Sequence, residues 1–185
     1  MNYIAVAELT SEAFAPFGEV GAPLADGGHG AGDVALDLSS GTPRFYIMRL
    51  EQRGLAFEIM ARHDRVTQCL GAVDGEPWLI AVAPAGIAQP GLGDIQAFRI
   101  PRDRFIKLGH GTWHAGPYFA EPLRDFYNLE LTDTNTATTP YAGWTCRWRS
   151  RREAHSRDRR RRHRGADHRS RLRAERLARA RLRAG

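Results

Sequence analysis

The chain contains two cysteines, Cys69 and Cys146, and a single lysine, Lys107. Two cysteines with no Cys-x-x-Cys spacing exclude a disulfide framework and a zinc-finger cluster, and they suit a reducing cytosol. No stretch approaches the ~20 consecutive apolar residues that span a bilayer. The start, Met1-Asn2-Tyr3-Ile4, has neither the charged onset nor the apolar core of a secretory leader. A cytoplasmic protein without a membrane partner is expected. The glycine-rich stretch Asp26 to Gly32 lacks a following Gly-Lys-Ser/Thr, so it reads as a loop and not as a phosphate cradle. No internal repeat is visible.

With only one lysine, the basic charge belongs to arginine, and it is unevenly placed. Residues 147–185 hold 17 arginines against four acids, whereas residues 1–146 hold ten basic residues against 17 acids. The net charge of +6 is therefore a property of the tail. The division expected is a body over residues 1–141 and an arginine-rich tail over 142–185. The tail is expected to be disordered through charge repulsion, or partly helical over 169–183. Within residues 147–185, one aromatic residue, Trp148, and no recognition motif give no basis for specific nucleic-acid binding. Its Arg/Ala/Gly/His bias is that of GC-rich DNA read out of frame, and a frameshift near Thr136 is the expectation.

In the body, short apolar segments recur between Gly, Pro and Asp: Arg44–Leu50, Phe57–His63, Val66–Val73, Pro77–Ala83, Ile95–Ile100, Phe105–Leu108 and Asp125–Leu131. This rhythm predicts a mainly β sandwich or barrel. Thr10-Ser11-Glu12 predicts a short capped N-terminal helix, because the hydroxyls can accept from orphan backbone donors. Asp74-Gly75 predicts a tight hairpin between its flanking strands.

Chemistry concentrates between Phe105 and Pro117. Gly109 and Gly111 allow a sharp turn, with His110 and His114 close in sequence. Imidazole is the side chain best suited to proton transfer near neutrality. Trp113 offers an apolar wall, and Lys107 a cation for a carboxylate. The alternative is a β-turn with a packed Trp and two surface histidines.

The spacing Gly109-x-Gly111-x-x-His114 resembles the second cupin motif, and His63-x4-Gln68 followed by Gly71 is similar to the first. Four blocks (Arg44 to Leu50, Val66 to Gly71, Phe105 to Pro117, Asp125 to Leu131) resemble the ureidoglycolate lyase/hydrolase family in order and spacing. That resemblance implies a cupin-type β-barrel (a double-stranded β-helix, or jelly roll) and a homodimer. It implies breakdown of ureidoglycolate to glyoxylate and urea, a step of allantoin and purine catabolism. The alternatives are an amidohydrolase releasing ammonia, or a cupin that only binds a small acid. His114 and His110 are the candidate acid and base. Arg49, Lys107, Gln68 and Tyr46 are the candidate substrate contacts. His63, Gln68 and His114 are the candidate ligands of a divalent metal, nickel by resemblance. Gly109 stands where the family usually carries a further histidine, which thins that set. Simpler readings stand beside these: His63 ending a strand, Gln68 satisfying backbone, Arg49 pairing with Glu51. Phe45 and Tyr46 must point to opposite faces of one strand, as must their neighbours, and Asn128 and Glu130 share a face.

Overall fold

Thr10 opens the only α-helix among the described residues: its hydroxyl accepts from Ala13 N at 3.1 Å, and the helix ends after four residues, at Phe14. The computed structural model describes residues 2–30, 32–136 and 139–149. In chain order these form β1 (Asn2–Glu8), α1 (Ser11–Phe14), β2 (Gly18–Gly21), β3 (Pro43–Glu51), β4 (Ala56–Arg62), β5 (Gln68–Ala72) and β6 (Trp78–Ala83). Then follow β7 (Gln96–Ile100), β8 (Phe105–Leu108), β9 (Trp113–Tyr118), β10 (Leu123–Leu131) and β11 (Thr139–Arg149). Six strands close a barrel in the order β1-β11-β4-β9-β6-β7, and five form a second sheet, β2-β8-β5-β10-β3. The mainly β barrel with a short helix read from the sequence is therefore what forms.

β6 shows how two cores arise from one strand. Side chains alternate across a sheet, so Trp78, Ile80 and Val82 face one way and Ala81 and Ala83 the other. The first set packs against Leu70, Ile106, Leu108 and Phe126 of the five-stranded sheet, with Phe14 and Phe17 from the helix region. The second meets Met60, Ala97, Trp113, Ala115 and Tyr118 in the other core. Buried on both faces, β6 reads as the unbroken apolar run Trp78–Ala83.

Three expectations need correction. Asp74-Gly75 does make a turn: Gly75 has φ of +70° and its N–H donates to Ala72 O at 3.3 Å. The turn closes no hairpin, because β5 pairs with β8 and β10 whereas β6 pairs with β7 and β9. It carries the chain from one sheet to the other, across the core that both line. The glycine-rich loop, expected to have no strand before it, does follow one, β2, though among the described residues no α-helix comes after it. Residues 142–149, placed in the tail by composition, continue β11. Residues 150–185, including the helix expected over 169–183, lie outside the described residues.

Candidate active site

The site is built on the face shared by the two sheets. His114 lies opposite Val82 in the β6–β9 ladder, and Val82 belongs to the core between the sheets. Residues directly opposite in an antiparallel pair share a face, so His114 points into that interior while Trp113 and Ala115 point into the other core. His114 is 9% exposed. Its Nδ1 lies 3.3 Å from Thr112 O. A carbonyl can only accept, so Nδ1 carries the proton and Nε2 presents its lone pair.

The turn before β9 fixes this arrangement. Thr112 Oγ1 and Gly109 N both donate to Phe17 O at 2.9 Å, and Gly111 N donates to His63 O at 2.8 Å. Gly111 has φ of +69°, the left-handed region that favours glycine. This stitching brings the His63 and His114 rings to 4.9 Å between centroids. Burial pushes His63 down to about 3, with the His114 ring adding to the shift. Burial also lowers His114, partly opposed by its bond to Thr112 O. Both rings are neutral near pH 7.

A stability consequence follows. His63 has a folded-state value of about 3, below its ordinary 6.5. Acid therefore protonates the unfolded chain first. The contribution is complete above pH 6.5 and is lost as the pH falls toward 3, at about 1.4 kcal/mol per pH unit for one proton. Thermal melts over roughly pH 4.5–7, above most carboxylate titration, should show Tm falling with acid. The slope should be shallower in His63→Asn.

β4 and β9 share one ladder position, Ala61 opposite His114, and the strands part beyond it. Beside this position lies a cleft of about 390 Å³ lined by Arg53, Phe57, Glu58, Ile59, His114, Gly116 and Tyr118, among others, of which Phe57 and Tyr118 belong to the other core. Arg53 is its only arginine or lysine, and it forms no ion pair among the described residues. Burial pushes the Tyr118 hydroxyl up, and the Arg53 charge pulls it back.

A polar wall faces the same interior from the five-stranded sheet. Gln68 lies opposite Leu108 and Asn128 opposite Leu70, both core residues. Tyr46 OH donates to Glu130 Oε1 at 3.1 Å, and Asn128 Nδ2 donates to Tyr46 OH at 3.0 Å. Gln68 Nε2 donates to Asn128 Oδ1 at 3.1 Å and to Glu130 Oε2 at 2.9 Å. Glu130 and Asn128 are each 1% exposed. Arg44 caps the wall, 3.8 Å from Glu130 and 3.6 Å above the Tyr46 ring.

Of the residues expected to act, the structure gathers His63, His114, Gln68 and Tyr46 on inward faces. It does not bring His110, Arg49 or Lys107 to them. His110 sits on the surface turn, with Nδ1 3.2 Å from Asp64 O and Nε2 3.3 Å from Asp37. Inward Tyr46 and Met48 force Arg49 outward, where it grips Asp125 through two bonds of 2.9 Å, and not Glu51. Inward Ile106 and Leu108 force Lys107 to the outer face, where it pairs with Glu19. Phe45 is correspondingly exposed, which settles the Phe45/Tyr46 alternative. Arg53 was missed: it lies in the loop between β3 and β4, where no periodicity assigns a direction.

The expected metal set, His63, Gln68 and His114, is weak in its donors. Gln68 spends its amide nitrogen on Asn128 and Glu130, which leaves its neutral Oε1 as the atom that could face an ion. Among the described residues no group of three His, Cys, Asp or Glu could hold an ion. Two imidazoles with a neutral amide fall short of the three-ligand sets usual for catalytic metals. The residues present do not fit a divalent ion.

Residues 24–137 match the protein-family model described as ureidoglycolate lyase. A ureidoglycolate lyase from Pseudomonas entomophila (strain L48) is 30% identical over 145 residues, covering 68% of this chain and 83% of that protein. One from Pseudomonas putida (strain W619) is 28% identical with the same coverage. One from Burkholderia mallei (strain NCTC 10229) is 29% identical over 127 residues, covering 62% of this chain and 74% of its own.

Proposed function

This chain belongs to the ureidoglycolate lyase family, and from that premise we propose that it cleaves ureidoglycolate to glyoxylate and urea. The supporting observation is a buried neutral imidazole, His114, which keeps its Nδ1 proton on Thr112 O and lines a cleft that holds one arginine. The reaction needs no net proton. Nε2 takes the hydroxyl proton, the O–H electrons become the C=O of glyoxylate, and the C–N pair leaves with nitrogen. The same imidazole then returns the proton to that nitrogen, giving urea. Burial, which lowers the basicity of His114, disfavours lasting charge on it and so favours the return.

The substrate carboxylate requires a cation, and Arg53 is the one the cleft offers. Arg53→Ala should raise KM about 10–100-fold with little change in kcat, the size of one lost charged hydrogen bond. Arg49→Ala, removing an outward residue, should leave both constants unchanged. Steady-state kinetics on the two variants checks this, and equal effects would remove Arg53 from its role.

The amidohydrolase and binding-only alternatives are not favoured, since each relative reported above carries a lyase name. Product analysis after incubation with ureidoglycolate separates them: urea and glyoxylate in equal amounts are expected, whereas ammonia and carbon dioxide would mean hydrolysis.

The same reading includes a cytoplasmic homodimer acting on a small molecule, with neither nucleic acid nor membrane as partner. The exposed edge strand β3, with Ile47 and a Phe45–Tyr127 stack at 5.9 Å on its outer face, supports self-association. Free Cys69 and Cys146 support the reducing compartment. It also keeps a lyase domain followed by an appendage, with the boundary moved from 141 to Trp148, since β11 belongs to the barrel and Cys146 is buried in the core.

A further inference from the structure

The chemistry above leaves the far end of the substrate, its terminal carbamoyl NH2, without a partner. The polar wall of the five-stranded sheet holds one open position of the right kind. We propose that Gln68 Oε1 accepts from that NH2, and that Glu130 is the positioning residue that keeps the Gln68 amide the right way round. This rests on the reading of the interior as the ureidoglycolate site.

A glutamine amide can turn over, so its direction has to be argued from its neighbours. Glu130 presents a carboxylate, which can only accept. One oxygen takes the Tyr46 hydroxyl at 3.1 Å, and the other takes Gln68 Nε2 at 2.9 Å. Asn128 turns its own NH2 toward Tyr46 OH and Met48 Sδ, so its oxygen faces Gln68. Both neighbours of Nε2 are therefore acceptors. Turning the amide over would set one oxygen against two others. Oε1 is thereby committed to the opposite direction.

Gln68 is 6% exposed, and Oε1 is buried without a hydrogen bond. Within the wall formed by Tyr46, Gln68, Asn128 and Glu130 it is the one buried side-chain polar atom left open. An unmet buried acceptor is costly, so a network that meets its other needs and leaves one open has a position made for a donor. The ligand chemistry that answers is a small uncharged N–H donor. A ureido NH2 has that character, whereas a methyl of equal size has none and would leave the acceptor unmet. A trapped water could answer it equally, and the experiment separates the two.

The test uses the full chain and two stable ligands that cannot undergo the cleavage: the 2-oxo analogue H2N–CO–NH–CO–COO⁻ and its methyl counterpart CH3–CO–NH–CO–COO⁻. Calorimetric titration should show the amino ligand binding wild type about 10-fold tighter, the size of one neutral hydrogen bond. Gln68→Met, which keeps the chain length, should bind both alike. Glu130→Gln, which removes only the charge, lets the amide turn and should shrink the ratio to an intermediate value; it serves alone if the methionine variant does not fold. A ratio near one in wild type, or a wild-type ratio in either variant, overturns the proposal, and the second outcome is what a trapped water gives. If wild type cleaves ureidoglycolate and only the ratio is flat, this inference alone fails. If wild type binds neither ligand and releases no urea, the functional reading fails with it.

Discussion

His114→Ala should lower kcat for urea release by about 10²–10⁴-fold, the range general acid–base groups contribute, while KM stays near the wild-type value. The split follows from where the residue acts. Nε2 holds the proton only while the C–N bond breaks, so its loss is felt in the chemical step. Arg53, which is proposed to hold the carboxylate, is left in place. The substitution removes a ring that is neutral because burial lowers its basicity, so no buried charge is left uncompensated and the barrel should survive. Wild-type activity should persist below pH 6.5, where an ordinary histidine would already be protonated and useless as a base. A pH–rate profile beside the kcat comparison distinguishes this from general misfolding. An acidic limb centred near 6.5 would mean that an unperturbed imidazole, and not the buried His114, carries the proton.

Phe126→Ala should cost about 3–5 kcal/mol of folding stability, the range for emptying a buried aromatic site. Phe126 is fully buried, with ring centroids 5.4 Å from Trp78 and 5.6 Å from Phe119. It stands where the two sheets meet, so truncation removes contacts from both. Two and four residues along the same strand lie Asn128 and Glu130, whose hydrogen bonds hold Gln68 in place. The variant should therefore lose discrimination between the two stable ligands as well as stability. Denaturant unfolding checks the first effect: the midpoint should fall with the slope unchanged. A loss below about 1 kcal/mol would mean that the sheets close over the space, at the low end of what large-to-small core changes cost.

What the sequence revealed and what it hid divides along physical lines. Strand positions were legible because apolar runs broken by Gly, Pro and Asp are a local signal; Phe105–Leu108 and Trp78–Ala83 are the clearest cases. Strand partners were not. Asp74-Gly75 specifies a backbone conformation, and that conformation serves a crossing between sheets as well as a hairpin. Lys107 could have been assigned correctly, since it sits between two apolar residues on a strand and must face away from whatever they face. Arg49 could not: Phe45, Tyr46, Ile47 and Met48 are all large and apolar or aromatic, so β3 carries no alternation to show which face is inward. The Gln68–Glu130 contact joins residues 62 apart and exists only once β5 and β10 pair. His114 was legible through its motif, but its partner is His63 and not His110, because the positive φ at Gly111 turns the chain back onto His63.

The central claim is that His114 is a neutral base with its lone pair on Nε2. Nitrogen-15 NMR titration of the histidines in the full chain, over roughly pH 5–8, measures this directly, since an unperturbed imidazole changes charge inside that window. The expected result is that His63 keeps a neutral signal throughout, and that His114 takes up charge only below the ordinary 6.5 and is protonated on Nδ1 above that. A His114 signal that titrates near 6.5, or one protonated on Nε2, would contradict it.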